Sequence, residues 1–287
     1  MGRFVLFIVM TIFSFNAFAQ RIHVGVFGGL ANYQGDLVDR WYAKKQTNGS
    51  IGVTVSYELT DQVFLRGGFT FARINGADYY SKDSALKARN LSFESAISEF
   101  SAVAEYYVFN LYDQRYSPYV FAGLAVYHFD PYTYFGGNKV YLHPLSTEGQ
   151  GLPGYAVKPY SLTQVALPIG GGLKFALNDN IRIGAEIGFR KLFTDYLDDV
   201  SSNYADPADL LAAKGQLAVD LAYRGDEVPT GSPIYPQKGE QRGGVKNKDW
   251  YYFTGLHLTM RIGNGGSGRG YFGRGRRKEY GCPANPM

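Results

Sequence analysis

The feature that most constrains this chain is the spacing of its segments of two-residue hydrophobic period. Roughly eight such segments occur, separated by gaps that alternate between long and short. Strands are expected at about 22–31, 50–59, 62–73, 97–110, 118–130, 161–177, 180–193 and 250–262. Three gaps are tight (Thr60-Asp61, Leu111–Ser117 and Asn178-Asp179) and four are long (32–49, 74–96, 131–160 and 194–249). Antiparallel strands with short turns on one rim and long loops on the other are the plan of an outer-membrane barrel. The expected fold is therefore all-β: an eight-stranded antiparallel up-and-down transmembrane β-barrel with long extracellular loops. An even strand number puts both barrel ends on the short-turn side, which is expected to face the periplasm.

The side chains along single strands carry the same message. Ile181, Ile183, Ala185, Ile187 and Phe189 alternate with Arg182, Gly184, Glu186, Gly188 and Arg190. Leu256, Leu258, Met260 and Ile262 alternate with Gly255, His257, Thr259 and Arg261. Successive residues of a strand point to opposite faces, so each strand has an apolar and a polar side. A lipid-facing arginine at mid-bilayer costs about 2–4 kcal/mol. The period accordingly assigns Arg66, Glu105, Lys174, Arg182, Glu186, Arg190 and Arg261 to the barrel interior as a network of both signs. Eight strands enclose a space just wide enough for side chains to fill, so the charges are expected to plug the lumen rather than line a channel. A secreted β-sandwich, with the apolar faces forming a core and the charged faces in water, is the competing fold.

Residues 1–19 read as a secretory signal peptide. Arg3 precedes the apolar run Phe4–Phe15, and Ala17-Phe18-Ala19 forms a small-x-small cleavage site. No later segment has the roughly 20 apolar residues of a transmembrane helix. The expected organisation is a signal peptide at 1–19, a barrel at 20–262 and a Gly/Arg-rich periplasmic tail at 263–287. Mean hydropathy of −0.20 agrees with strands that are polar on one side, and the 24 tyrosines suit interfacial girdles. The tail carries Arg269, Arg274, Arg276, Arg277 and Lys278 against Glu279, a net of +4, while loop 194–249 carries a net of −4. Cys282 is the one cysteine, and an odd cysteine in an oxidising compartment points to an intermolecular disulfide or a free thiol. The tail is either a solvated extension or a docking peptide in which Arg274, Arg276, Arg277, Lys278 and Cys282 meet a partner.

The fourth long gap, of 56 residues, exceeds a simple connection. Asp206-Pro207 is expected to cap a helix with Leu210, Ala213, Leu217 and Leu221 on one face, ended by Gly225. Asp195, Asp198 and Asp199 crowd its flank. That density suits Ca²⁺, but the spacing lacks a calcium-loop pattern, and caps or salt bridges to Arg190 or Arg242 are the expected use. An enzyme acting on lipid at the outer rim would need a histidine there, which only His128 and His143 supply. No Ser/His spacing marks a triad, so no catalytic residue, metal or cofactor is expected.

One resemblance follows from the loops. Asn32-Tyr33-Gln34-Gly35-Asp36-Leu37 follows the first strand. Thr194-Asp195-Tyr196-Leu197-Asp198-Asp199-Val200-Ser201, with Asn203-Tyr204, follows the seventh. Arg242-Gly243 and Asp249-Trp250-Tyr251 precede and open the eighth. This signature, with Asp36, Asp195, Asp198, Asp199, Arg242 and Asp249 as its charged members, resembles the PorG-like outer-membrane barrels of the type IX secretion system. The resemblance implies a non-enzymatic part of a secretion machine, in some bacteria coupled to gliding motility. Its implied partner is the periplasmic ring lipoprotein and its companion, of the PorK/PorN or GldK/GldN type. A stand-alone barrel of the OmpA/OmpW type, acting as an adhesin or small-solute conduit, is the alternative.

Overall fold

The computed structural model describes residues 22–38, 44–244 and 248–262. The expected signal peptide and the Gly/Arg tail, with Arg274, Arg276, Arg277, Lys278 and Cys282, lie outside the described residues.

Ten strands form in chain order: β1 (Ile22–Gln34), β2 (Asn48–Glu58), β3 (Val63–Ala77), β4 (Ser92–Tyr107), β5 (Tyr116–His128), β6 (Pro131–Phe135), β7 (Asn138–Tyr141), β8 (Thr163–Ala176), β9 (Ile181–Leu192) and β10 (Trp250–Ile262). Eight of them make the barrel, in the order β3-β2-β1-β10-β9-β8-β5-β4, and β3 pairs with β4 to close the ring. That ladder runs from Val63 opposite Tyr106 to Ala77 opposite Ser92. The first and last strands pair from Ile22 opposite Ile262 to Gln34 opposite Trp250, so both lie with their outer ends at the short-turn rim. Closure leaves no barrel strand with an open edge. It also removes the sandwich reading, because a sandwich has two sheets with open edges.

β6 and β7 were not expected. They form a hairpin within the third long loop, attached to the upper end of β4 through Glu94–Tyr132 and Ser95–Pro131. A signal for it does exist. Gly136 and Gly137 both have positive φ, 57° and 80°, the backbone a tight two-residue hairpin turn demands. Tyr132 to Phe135 and Asn138 to Tyr141 flank the turn. The expected single helix after Asp206 is also different. Two short helices form, Pro207–Lys214 and Gln216–Ala222, broken at Gly215. Asp206 caps the first, accepting from the amides of Ala208 (2.8 Å) and Asp209 (3.4 Å). The break turns Ala213 and Leu217 outward, so Leu210, Ala218, Leu221 and Ala222 supply the buried positions.

The outer wall is apolar. Ile183, Ile187, Val165, Ile169, Leu173, Leu256, Leu258 and Met260 are all exposed. The apolar stretches Ile181–Phe189, Val165–Phe175 and Tyr116–Val126 match the ~9–11 residues that a tilted strand needs to cross hydrocarbon. Lys191, Arg73 and His128 stand above these belts on the same outward faces. In water such a wall would be a very large apolar patch; in lipid it is the ordinary surface of a barrel. No described helix is long and apolar enough to cross a membrane. The molecule has the architecture of an outer-membrane barrel.

The interior is filled in levels. Nearest the short-turn rim, the Arg182 and Arg261 guanidiniums sit 5.2 and 5.8 Å from the ring centre of Tyr112, whose hydroxyl donates to Glu58 (2.7 Å). Above them, Arg66 joins Glu186 (2.6 Å) and Glu105 (3.0 Å), while Tyr119 donates to Glu186 (2.6 Å) and Tyr107 to Glu105 (2.8 Å). Lys174 lies over the rings of Tyr107 and Tyr119. Higher again, Arg190 forks onto Glu99, with Nε to Oε2 and Nη2 to Oε1 both 3.0 Å, and Tyr251 donates to the same carboxylate at 2.7 Å. Six of the seven charges assigned to the interior are buried, and Arg261 is half-buried at the rim. Glu99 was missed, although the period that puts Glu105 inside puts Glu99 inside too.

Removing one partner of a buried ion pair strands the other charge and costs ~3–5 kcal/mol. Glu99→Ala is therefore expected to lower the unfolding free energy of the vesicle-embedded barrel, measured by urea titration, by that amount, with the double change Glu99→Leu, Arg190→Met recovering most of it. Leu258→Arg, on the lipid face, is expected to cost ~2–4 kcal/mol in the same assay. Neutral outcomes would contradict the assignment of the two faces.

Candidate functional site

Above the ion pairs, the long loops fold onto the barrel mouth. Tyr33, the last inward side chain on β1, stands at the centre. Its hydroxyl lies 2.5 Å from Asp198 Oδ2 and 3.0 Å from Asp249 Oδ1, and all three residues are almost fully buried. The hydroxyl has one proton for two carboxyl acceptors, an arrangement that a proton retained on one of the crowded carboxyls would complete. Gly35 is required beside it: a Cβ there would lie 1.9 Å from the Tyr33 hydroxyl and 2.0 Å from Asp249 Oδ1.

The remaining signature residues surround the trio. Asp249 Oδ2 accepts from the Leu197 amide and Asp198 Oδ1 from the Val200 amide, both at 2.9 Å. Asp36 Oδ2 accepts from the Gly244 amide at 2.8 Å. Asp195 Oδ2 accepts from the Ser201 hydroxyl at 2.8 Å. Asp199 accepts from Thr147 at 2.6 Å and Tyr160 at 2.7 Å. Arg242 donates to the backbone carbonyls of Asp199 (2.7 Å) and Ala222 (3.0 Å) and forms its salt bridge with Glu148 (3.1 Å). The six charged signature residues, scattered from position 36 to 249, thus converge in one assembly, buried except at the half-buried Asp36.

Two expected contacts are different in detail. Arg242 meets Asp199 through its carbonyl rather than its carboxylate, and Arg190 is committed to Glu99 below. The loop aspartates are satisfied instead by amides and hydroxyls, the short-range donors that a bent loop presents inward. Among the described residues no group of three His, Cys, Asp or Glu is placed to hold a metal ion. His128 and His143 do lie at the long-loop rim. His128 Nδ1 meets Thr163 Oγ1 at 3.0 Å, and His143 Nε2 meets the Tyr160 carbonyl at 2.9 Å.

Sequence reasoning missed two members. Glu148, on the third loop, accepts from the Ser201 and Ser202 amides and from Arg242. Arg89 pairs with Asp78 (2.7 Å) and reaches the carbonyls of Asp36 and Arg242. It ends the short helix α1 (Ser84–Arg89), which Asp83 caps. These two tie the second and third loops to the first and fourth. A lone charge in an irregular loop has no period to betray its direction.

Burial and crowding set the electrostatics. Asp198 and Asp249 are pushed well above the usual carboxylate range by burial first, then by neighbouring aspartates. Burial likewise pushes Asp195 and Asp199 up to about 6. Native pKa values raised above those of the unfolded chain favour the protonated native form, so this stabilisation is complete below about pH 4 and is lost as pH rises through about 6. Amide hydrogen exchange in segments 194–204 and 240–244 is expected to be slower at pH 5 than at pH 8, after correction for intrinsic rate. Asp198→Asn should flatten that dependence. Equal corrected protection at both values would contradict the retained proton.

Known proteins give one family match and several structural similarities. The model of the family described as "Domain of unknown function (DUF6089)" matches residues 2–212. No curated protein sequence matches the chain. Among solved structures, Neisserial surface protein A is similar over 84% of this chain and 97% of its own, with 12% identity and a TM-score of 0.41. The outer membrane protein OprG from Pseudomonas aeruginosa is similar over 85% and 98%, with 10% identity and a TM-score of 0.40. The outer membrane enzyme PagL is similar over 84% and 99%, with 12% identity and a TM-score of 0.31. With nearly three quarters of its length matched by that one family model, the chain belongs to the DUF6089 family.

Proposed function

We propose that the chain is a non-enzymatic outer-membrane component of the type IX secretion system that anchors the periplasmic ring lipoprotein complex to the membrane. One observation carries the reading. The loop signature resembling the PorG-like barrels is the set of residues that meets around Tyr33, so it serves a single built platform rather than two independent loops. The filled lumen supports a mechanical role as well. Two stacked ion networks and the aromatic layer of Tyr127, Phe129, Tyr251 and Phe253 occupy the space a solute conduit would keep open.

In this reading the barrel holds position in the bilayer with the long loops outside. The chain leaves β10 at the short-turn rim and enters the basic tail. Arg274, Arg276, Arg277 and Lys278 attract the ring complex of the PorK/PorN or GldK/GldN type electrostatically, and Cys282 supplies a thiol for an intermolecular disulfide. A tether needs no catalytic residue and no cofactor.

The test is an affinity-tagged chain solubilised from outer membranes without reductant and run with and without dithiothreitol, beside Cys282→Ser and a form lacking 264–287. A heavier, reductant-sensitive band containing the ring lipoprotein is expected, absent in Cys282→Ser. Native co-purification of the ring is expected to be lost on deleting the tail. A monomer under all conditions with an empty native pull-down would overturn the anchor and leave the stand-alone OmpA/OmpW-type barrel.

A further inference from the structure

The outward face of the β6–β7 hairpin continues the lipid-facing wall of β4 upward. Glu94 of β4 belongs to the same outward set as Ala96, Phe100 and Ala104, and its register partner on β6 is Tyr132. Tyr132 pairs with Tyr141 across the hairpin and Tyr134 with Lys139, so all four share that face. The opposite face is occupied: Thr133 is buried, and Phe135 and Val140 pack against the main core. The outward rings meet edge to face, Tyr132 with Tyr134 at 5.9 Å and with Tyr141 at 6.0 Å between centres. The Lys139 ammonium lies over Tyr132 (3.7 Å) and Tyr141 (4.6 Å). Tyr134 and Tyr141 nevertheless remain 53% and 43% exposed. Tyr132 donates to Glu94 Oε2 at 2.8 Å, and among the described residues nothing takes Glu94 Oε1. Arg73, one outward step lower on β3, likewise forms no ion pair among the described residues.

Height decides what this face meets. Phe71 is the last large apolar side chain on the outward face of β3, level with Ser98 of β4. From Ser98 up to Glu94 and Tyr132 the wall rises about 10 Å, and to Tyr134 about 15 Å, at ~3.3 Å per residue and a tilt of ~35–45°. The headgroup layer of a phospholipid leaflet reaches only about 5–8 Å past the hydrocarbon, so these rings stand too high to be an interfacial girdle. They look along the membrane plane, over the lipids that line β3 and β4, and not up into the medium. What stands above acyl chains at that height is the sugar of a glycolipid, the outer-leaflet lipid of an outer membrane. The chemistry agrees. A sugar ring has a C–H face that packs on a tyrosine ring, and an edge of hydroxyls that a carboxylate oxygen and a guanidinium fork can bond. We propose that the outward face of the β6–β7 hairpin binds the saccharide headgroup of an outer-leaflet glycolipid, with Tyr134 and Tyr141 stacked on sugar rings and Glu94 and Arg73 bonded to hydroxyls. The site shares with the secretion reading only the outward placement of the long loops; the tail takes no part in it.

The test uses the full chain in phosphatidylcholine nanodiscs and the core oligosaccharide freed from rough-type lipopolysaccharide by mild acid. Saturation-transfer NMR is expected to show saturable transfer to the ring C–H protons of the sugar. Tyr134→Ser combined with Tyr141→Ser should weaken that binding about tenfold, while keeping the folded mobility of an unheated sample on a gel. Equal transfer in both forms, or none in the native chain, would overturn the site. A second arm tests the occupant. Nanodiscs that also carry intact rough lipopolysaccharide hold its sugars beside the hairpin at a high effective concentration, so transfer to added free oligosaccharide should be largely suppressed. Undiminished transfer there would overturn a membrane-tethered glycolipid as the occupant. This arm needs no variant, so it decides should the double change fail to fold. Neither arm involves the tail or the ring complex, so failure here is distinct from failure of the anchor.

Discussion

Every backbone amide and carbonyl at hydrocarbon depth has to find its partner inside the protein, and here the pairing of β3 with β4 makes that possible. Without it the eight strands would be an open sheet with two rows of unsatisfied groups facing lipid, each costing several kcal/mol. With it, each barrel strand is bonded on both sides. The remaining features follow from this closure. The ring sends alternate side chains outward and inward, and the two sets live in different solvents. Outside, Ile183, Ile187, Leu256 and Leu258 meet acyl chains. Inside, Arg66, Glu99, Glu105, Glu186 and Arg190 meet one another, the tyrosines, His257 and the Gly188 carbonyl.

Inside the ring the arginines Arg66 and Arg190 are paired with carboxylates. Arg66 takes two carboxylates, while Arg190 spends its fork on one and its remaining donor on the Gly188 carbonyl. Tyrosine hydroxyls from Tyr107, Tyr119 and Tyr251 complete the carboxylate lone pairs. Buried pairs of this kind add little net stability over apolar packing. What they do is fill a narrow tube with groups that fit only one register, since shifting β3 or β9 by one residue would send Arg66, Arg182 or Arg190 toward lipid.

The loop platform extends the same logic into water-accessible space. Four loops that have no mutual period are held by a buried carboxylate assembly, with Arg89, Arg242 and Glu148 as cross-ties. The assembly rests on Tyr33, an inward side chain of β1, so the platform's position is inherited from the barrel register. The interior charges and the signature aspartates are therefore two polar assemblies stacked on one axis, from Tyr112 near the short turns to Asp36 at the top, with the aromatic layer of Phe93, Tyr127 and Phe129 between them.

The sequence by itself determined the strands, their faces and the closed meander. Periodicity reads directly as direction in a strand, and a lipid-facing charge is costly enough to fix which face is which. It also marked Asp36, Asp195, Asp198, Asp199, Arg242 and Asp249 as belonging together, as the charged members of one loop signature. Only the tertiary structure decided how they meet. Loop residues carry no period, and the contacts of Tyr33 with Asp198 and Asp249 span 165 and 216 positions. The same holds for Glu148 and Arg89, for the break at Gly215 that redirected Leu217, and for the docking of the β6–β7 hairpin onto β4. Each depends on which loop surfaces the closed ring brings face to face, and that proximity is created by the ring rather than by any neighbouring residue.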